Sequence, residues 1–162
     1  MKNLIYFLLL FTIFSSCCHS RVVITDEDLP EEVFYRSDRV KPYSGECVIY
    51  YSDTKIIKEE MTFRNGILHG PMTSYYMNGT IRRQGAFFNG KMEGKWESWY
   101  RDGKKQYTVN YSCDSLNGEY FEWYSTGVMK EKGIYAQNKP VGNWIAYDEA
   151  GMIIRNENLN NK

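Results

Sequence analysis

The sequence predicts an all-β fold, an elongated antiparallel sheet or solenoid of about five tandem β-hairpin repeats. The first observation is a set of glycines separated by 25, 24, 24 and 24 residues: Gly45, Gly70, Gly94, Gly118 and Gly142. We number positions within each repeat from this glycine, so that it is position 0. Four repeats carry a second glycine at +9: Gly79, Gly103, Gly127 and Gly151. Aromatic residues recur at +5 and +6: Tyr50, Tyr51, Tyr75, Tyr76, Trp99, Tyr100, Trp123, Tyr124 and Tyr147.

Each repeat is predicted to be one hairpin. In the third repeat, the aromatic stretch after Gly94 favours a strand, Asp102-Gly103 is a two-residue turn signal, and residues 105–111 form the returning strand. We therefore expect the +9 glycines to be turn residues with positive φ. Residues that tolerate positive φ are also expected to connect successive repeats: Asn65-Gly66, Asn89-Gly90, Asp114-Ser115 and Asn138-Lys139.

Alternation along a strand places rings on both faces of the sheet. One set is expected to form the core and the other to stay partly exposed, and the sequence leaves open which is which. The candidate binding face is the +5 set, Tyr75, Trp99, Trp123 and Tyr147. The alternative is the opposite face, with Trp96, Tyr100, Tyr120 and Tyr124. Four basic residues occupy even positions of the returning strand and are therefore expected on one face: Arg82, Lys104, Lys130 and Lys132. They form either a stripe that binds anionic lipid headgroups or, as we prefer, a solvated face that keeps the sheet soluble.

The amino terminus is typical of an exported lipoprotein. Lys2 precedes an uncharged run of eleven residues, Leu4 to Phe14, which is too short to cross a membrane and suits a signal peptide. Ser15-Ser16-Cys17 resembles the site at which bacterial lipoproteins are cleaved and lipidated, which makes Cys17 the expected lipid carrier and Cys18 the alternative. The predicted organisation is a signal peptide at 1–16, an acidic tether at 17–42, a repeat domain at 43–156 and a polar tail at 157–162.

Composition argues against several functions. Of the 162 residues, 20 are Lys or Arg and 20 are Asp or Glu, so the neutral chain gives no reason to expect a nucleic-acid partner. The two histidines, His19 and His69, stand apart, and we identify no catalytic motif, no metal site and no cofactor site. We expect a protein that is not an enzyme.

The repeat resembles the bacterial variant of the MORN family. The third copy matches best, with Gly90, Gly94, Trp96, Trp99, Tyr100 and Gly103 in place. The first copy is degenerate, since Cys47 and Thr54 replace the ring and the turn glycine, as suits a terminal cap. The resemblance covers about 120 residues and implies scaffolding, protein contacts and proximity to membranes. Bacterial proteins of this build are often called YwqK-type antitoxins, but no residue here indicates toxin neutralisation.

The sequence thus predicts a non-catalytic interaction module, anchored by lipid to a bacterial membrane on the periplasmic side or at the cell surface. A protein partner is expected, and a glycan or an anionic lipid is a further candidate. The alternative function is an antitoxin or immunity protein that neutralises one toxin, which a neighbouring toxin gene would favour.

Overall fold

The computed structural model describes residues 21–25 and 42–159, which form one sheet whose eleven strands follow chain order. Every neighbouring pair from β2 to β11 is antiparallel, which confirms the predicted all-β hairpin array. The strands are β1 (Arg21–Thr25), β2 (Gly45–Tyr50), β3 (Ile57–Arg64), β4 (Ile67–Tyr75), β5 (Ile81–Phe88), β6 (Lys91–Trp99), β7 (Lys105–Ser112), β8 (Ser115–Trp123), β9 (Met129–Ala136), β10 (Lys139–Tyr147) and β11 (Ile153–Asn158).

The first strand is an addition to the repeat array. β1 runs parallel to β2, with Arg21 opposite Glu46 and Thr25 opposite Tyr50. It lies inside the segment predicted as a tether, where we did not expect a strand. The predicted signal peptide, Cys17, Cys18 and His19 lie outside the described residues. At the other end β11 extends to Asn158, two residues past the predicted limit of the repeat domain.

The +9 glycines lie in the hairpin loops. The Gly103 amide donates a hydrogen bond to the Tyr100 carbonyl oxygen at 2.9 Å. The Tyr100 amide donates to the Lys104 carbonyl oxygen at 2.8 Å. The loop therefore contains three residues and not the two predicted from Asp102-Gly103, since a left-handed glycine closes it. Positive φ is shared by Gly79 (82°), Gly103 (85°), Gly127 (96°) and Gly151 (82°). In the first repeat Asp53, and not Thr54, has positive φ (57°).

The connections between repeats are two-residue turns in which both residues have positive φ. The first two turns are Asn65-Gly66 and Asn89-Gly90, at the expected positions. The next two begin one residue earlier than predicted, at Cys113-Asp114 and Gln137-Asn138. In these two turns the second residue is Asp114 or Asn138 where the earlier turns have glycine, and its side chain adds a hydrogen bond. Asp114 Oδ1 accepts a hydrogen bond from the Met92 amide, and Asn138 Oδ1 accepts one from the Leu116 amide, both at 2.7 Å.

Two β-bulges interrupt each regular repeat. At Gly94 the register shifts, since Gln84 pairs with Glu97 while Ala86 pairs with Glu93. Gly94 has a φ of 70°, so its role is to form this bulge. Equivalent shifts occur at Gly70, Gly118 and Gly142. A second register shift occurs at +5 and leaves one residue of the returning strand without a partner opposite it. In the third repeat Ser98 pairs with Tyr107 and Trp99 pairs with Lys105, so Gln106 is the extra residue.

The +2 side chains form a row across the sheet that is buried except at Met72 and Tyr120, which are partly exposed. Trp96 is fully buried and Trp144 is 5% exposed. We call the face that carries them the core face. Each tryptophan ring lies flat on a glycine of the preceding repeat: a Cβ on Gly85 would be 2.2 Å from the Trp96 ring, and one on Gly133 would be 2.3 Å from the Trp144 ring. Neighbouring rings pack edge to face against this row: Phe87 and Tyr111 on Trp96, and Tyr135 on Tyr120 and Trp144.

The +6 tyrosines join successive repeats. Each hydroxyl donates to the carbonyl oxygen of the +5 residue in the next repeat, and we call this series the tyrosine ladder. Its four hydrogen bonds are 2.7 to 2.9 Å long: Tyr51 to Tyr75, Tyr76 to Trp99, Tyr100 to Trp123 and Tyr124 to Tyr147. The last repeat has Asp148 at +6, so the ladder ends there.

Candidate binding surface

The four candidate binding residues occupy equivalent positions on successive hairpins. Tyr75, Trp99, Trp123 and Tyr147 each end the first strand of a repeat, and each is partly exposed. Two strand spacings separate neighbouring positions, about 10 Å. We call this series the ring row and the face that carries it, opposite the core face, the ring face. The row is therefore a periodic, half-open aromatic surface about 30 Å long.

A lysine and a glutamate hold the middle of the ring row. The Lys105 ammonium lies 6.0 Å from the Trp99 ring centroid and 5.9 Å from that of Trp123. It also forms an ion pair with Glu97 at 2.7 Å. The hydrogen bond from Lys105 lowers the pKa of Glu97 to about 2, with a further contribution from Lys95. The two tryptophans are thus bridged by a cation that is itself fixed by a carboxylate.

The remaining rings have their own polar partners. The Tyr75 hydroxyl donates to Glu60 Oε2 at 2.8 Å, and partial burial together with this carboxylate raises the pKa of Tyr75. The Lys132 ammonium lies 5.9 Å from the Tyr147 ring centroid. Phe121 stacks on Trp123 with ring centroids 6.1 Å apart. The surface therefore presents aromatic area with carboxylates and ammonium groups beside it.

The alternative set of rings is committed to the fold. Trp96 is fully buried. Tyr100 and Tyr124 donate their hydroxyl groups to the tyrosine ladder. Tyr120 stacks on Trp144 at 5.8 Å and donates to Glu122 Oε2 at 3.0 Å. These contacts make the +2 and +6 rings part of the core and of the contacts between repeats.

The basic residues that share sequence parity do not form one stripe. The Lys130 ammonium forms an ion pair with Glu122 at 2.7 Å, and the bulge at +5 places it beside this core-face carboxylate. Lys132, two residues later, contacts Tyr147 of the ring row. Lys104 follows a hairpin loop, and its ammonium lies 3.5 Å from Asp102 Oδ2. The extra residue at each bulge interrupts the alternation of side chains between the two faces. Prediction from sequence parity therefore placed these basic side chains on one face when they lie on different ones.

The described residues also form a groove, which was not predicted from the sequence. A groove of about 800 Å³ runs along the core face over the first three repeats. Its lining includes Arg82, Arg83 and Arg101 together with Tyr76 and Gln106. The signal available in the sequence was the arginine pair at +12 and +13 of the second repeat.

Within residues 21–25 and 42–159, no group of three His, Cys, Asp or Glu residues is arranged to hold a metal ion. His69 contacts Asn89 and Phe88. No helix among these residues has the length and apolar character that a bilayer crossing requires.

Comparison with known proteins identifies the repeat. The family model described as MORN repeat variant matches three segments, residues 68–89, 92–112 and 116–137. These segments contain most of the second, third and fourth hairpins, which are therefore similar to the MORN repeat variant. Such repeats generally mediate protein or membrane-lipid interaction and are in general non-catalytic. No curated protein matches the chain.

Proposed function

We propose that this protein is a lipid-anchored, non-catalytic interaction module of the bacterial cell envelope, and that its ring face binds a protein partner. The observation that carries the proposal is the ring row. Four partly exposed rings repeat about 10 Å apart on one open sheet. Aromatic residues that combine apolar area with polar neighbours are enriched at binding surfaces.

The proposed geometry suits an extended partner. Each of these hairpins contributes one ring, and the Lys105 ammonium beside Trp99 and Trp123 is already paired with Glu97. Binding would therefore depend mainly on the burial of aromatic surface and would be distributed over several repeats. A catalytic site, in contrast, concentrates its polar groups at one point.

The proposed anchor rests on the sequence of the first eighteen residues. The uncharged run and Ser15-Ser16-Cys17 support export and lipidation. Metabolic labelling with a fatty-acid probe tests the anchor by comparing the natural chain with Cys17→Ala. Labelling that persists in this variant would transfer the lipid to Cys18, and absence of labelling in the natural chain would end the proposal of an anchor.

The binding role is tested by crosslinked capture from membranes followed by mass spectrometry. The natural chain is compared with Trp99→Ser, Trp123→Ser and the double variant. Phe88→Ser is the matched control, since Phe88 is an aromatic residue that is 56% exposed but lies outside the ring row. We expect one and the same captured protein to decrease in the ring-row variants and to persist in the control. Equal recovery from all variants would contradict the proposal.

A further inference from the structure

We propose that the arginine groove of the core face binds the carboxylate groups of an acidic peptide segment. This inference deepens the proposed function, because it specifies the chemistry of a protein partner. It concerns the opposite face from the ring row, so the two surfaces can be tested separately.

Two consecutive arginines project from a bulge towards the same groove. Arg83 pairs with Ser74 and with Ser98, in a row that crosses the core face. Arg82 is the extra residue of this bulge, since Ser74 pairs with Arg83 and Tyr75 pairs with Ile81. Both arginines line the groove, and Arg101 joins them from the next hairpin loop.

The three guanidinium groups lack carboxylate partners among the described residues. Arg83 lies on the Trp96 ring, with its guanidinium carbon 4.3 Å from the ring centroid, and its Nε is buried without a hydrogen-bond partner in that part of the chain. Because this Nε is closed to solvent, a ligand oxygen would bind at the terminal nitrogens of the three arginines, which line the groove. Guanidinium groups match planar carboxylates better than any other side chain.

The repeats provide an internal comparison. In the fourth repeat, Lys130 and Glu131 occupy the positions of Arg82 and Arg83. There Lys130 pairs with Glu122, and Glu131 pairs with Arg155. The same scaffold thus neutralises its charges in the fourth repeat and leaves three cations in the second and third. Two arginines at +12 and +13 of the second repeat therefore form an anion site. In the fourth repeat the residues at the same two positions form ion pairs within the fold.

The lining favours a carboxylate on an extended chain over a phosphate group. Glu59 lies in the same groove, and its negative charge opposes a dianion more strongly than a monoanion. The groove also extends over three repeats, from Tyr51 to Tyr107, which suits a peptide strand.

Fluorescence anisotropy of the full chain with a labelled ten-residue peptide of alternating glutamate and glycine tests the inference. We expect Arg82→Gln and Arg83→Gln each to weaken binding about tenfold, equivalent to ~1.4 kcal/mol. The control Lys139→Gln removes the same charge at an exposed position that lies outside the groove and the ring row, and it should leave binding unchanged. Arg82 is exposed, so its variant separates loss of binding from loss of folding.

Three results would overturn the inference. One is equal affinity for a peptide with glutamine in place of glutamate. Another is an equal effect of Arg82→Gln and Lys139→Gln. The third is binding of inorganic phosphate or phosphatidylglycerol vesicles without binding of the peptide. None of these results would affect capture of the membrane partner through the ring row. If that capture failed while the peptide still bound, only the proposal for the ring face would be rejected.

Discussion

At the scale of single residues, glycines serve this fold for two different reasons. Gly103 has a φ of 85° and open space around the position of a Cβ, so its requirement is conformational. Gly85 has no positive φ, but a Cβ there would lie 2.2 Å from the Trp96 ring. The same pairing of glycine with tryptophan recurs at Gly133 and Trp144, whereas Val109 lies opposite Tyr120. Glycine is thus present where the facing ring of the next repeat is an indole.

Substitution at the two glycines should distinguish these reasons. Gly103→Val should destabilise the fold by about 1–3 kcal/mol through backbone strain, without a change in tryptophan fluorescence. Gly85→Ala should cost about 1–3 kcal/mol through displacement of Trp96, with an altered near-UV signal. Thr54→Val is the control for the first, since Thr54 has no positive φ to strain. Equal thermal shifts for Gly103→Val and Thr54→Val would contradict the repeat alignment.

The two cysteines of the described residues should differ in reactivity. Cys47 is buried, and this burial, with a smaller contribution from Glu59, raises the pKa of its thiol to about 11. Cys113 is exposed in a turn. Because the thiolate is the reactive form, a maleimide reagent at neutral pH should modify Cys113 rapidly and Cys47 only after unfolding. Peptide mapping by mass spectrometry measures this, and rapid modification of Cys47 in native protein would contradict the buried position.

At the scale of elements, the tyrosine ladder is the contact that repeats most regularly between hairpins. Tyr100→Phe removes one hydroxyl that donates to the Trp123 carbonyl at 2.8 Å and keeps the ring. We expect a loss of about 0.5–1.5 kcal/mol in unfolding free energy. Tyr107→Phe is the matched control, because its hydroxyl forms no hydrogen bond within the described residues. Equal denaturation midpoints for the two variants would show that the ladder adds nothing to stability.

The Glu97–Lys105 pair should make the ring row sensitive to acid. The pKa of Glu97 falls from 4.5 to about 2 in the folded state, so folded protein binds this proton less readily than unfolded protein. The stabilisation is therefore complete above pH 4.5 and is lost as the pH falls towards 2. The difference in melting temperature between the natural chain and Glu97→Gln should shrink over this interval. A difference that stays constant would contradict the assignment of the shift to this pair.

The hairpin array was predictable because its cause is local and repeated. Each 24-residue unit places the turn glycine and the rings at the same offsets, and this period alone indicates stacked hairpins. Alternation along the first strand also separated the +2 and +6 rings from the +5 rings, as the structure has them, but it could not say which set forms the core. The basic residues of the returning strand were misplaced, because a bulge shifts alternation without a distinct sequence signal. Gly94 looks like a turn residue in sequence, yet it forms the bulge that precedes Trp96. The glycine opposite each core tryptophan was a usable signal that the sequence analysis overlooked.

At the scale of the whole molecule, the array divides its two faces between different tasks. The core face holds the buried +2 row, the tyrosine ladder and the arginine groove. The ring face holds the partly exposed +5 row with Lys105 and Lys132. Among residues 21–25 and 42–159 no second layer covers this face, and the four rings are partly exposed.

Binding through the ring row should therefore be graded with the number of rings removed. Each of Trp99→Ser, Trp123→Ser and Tyr147→Ser should weaken capture of the membrane partner by about 5- to 30-fold, which corresponds to the ~1–2 kcal/mol of an interface ring. Two substitutions should weaken capture more than one, whereas in a catalytic site one substitution abolishes activity and the others do little. These rings are partly buried, so circular dichroism and thermal melting must show that each variant is folded. If a folded triple variant still captures the partner, the ring row is not the interface, and the arginine groove of the core face becomes the surface to test.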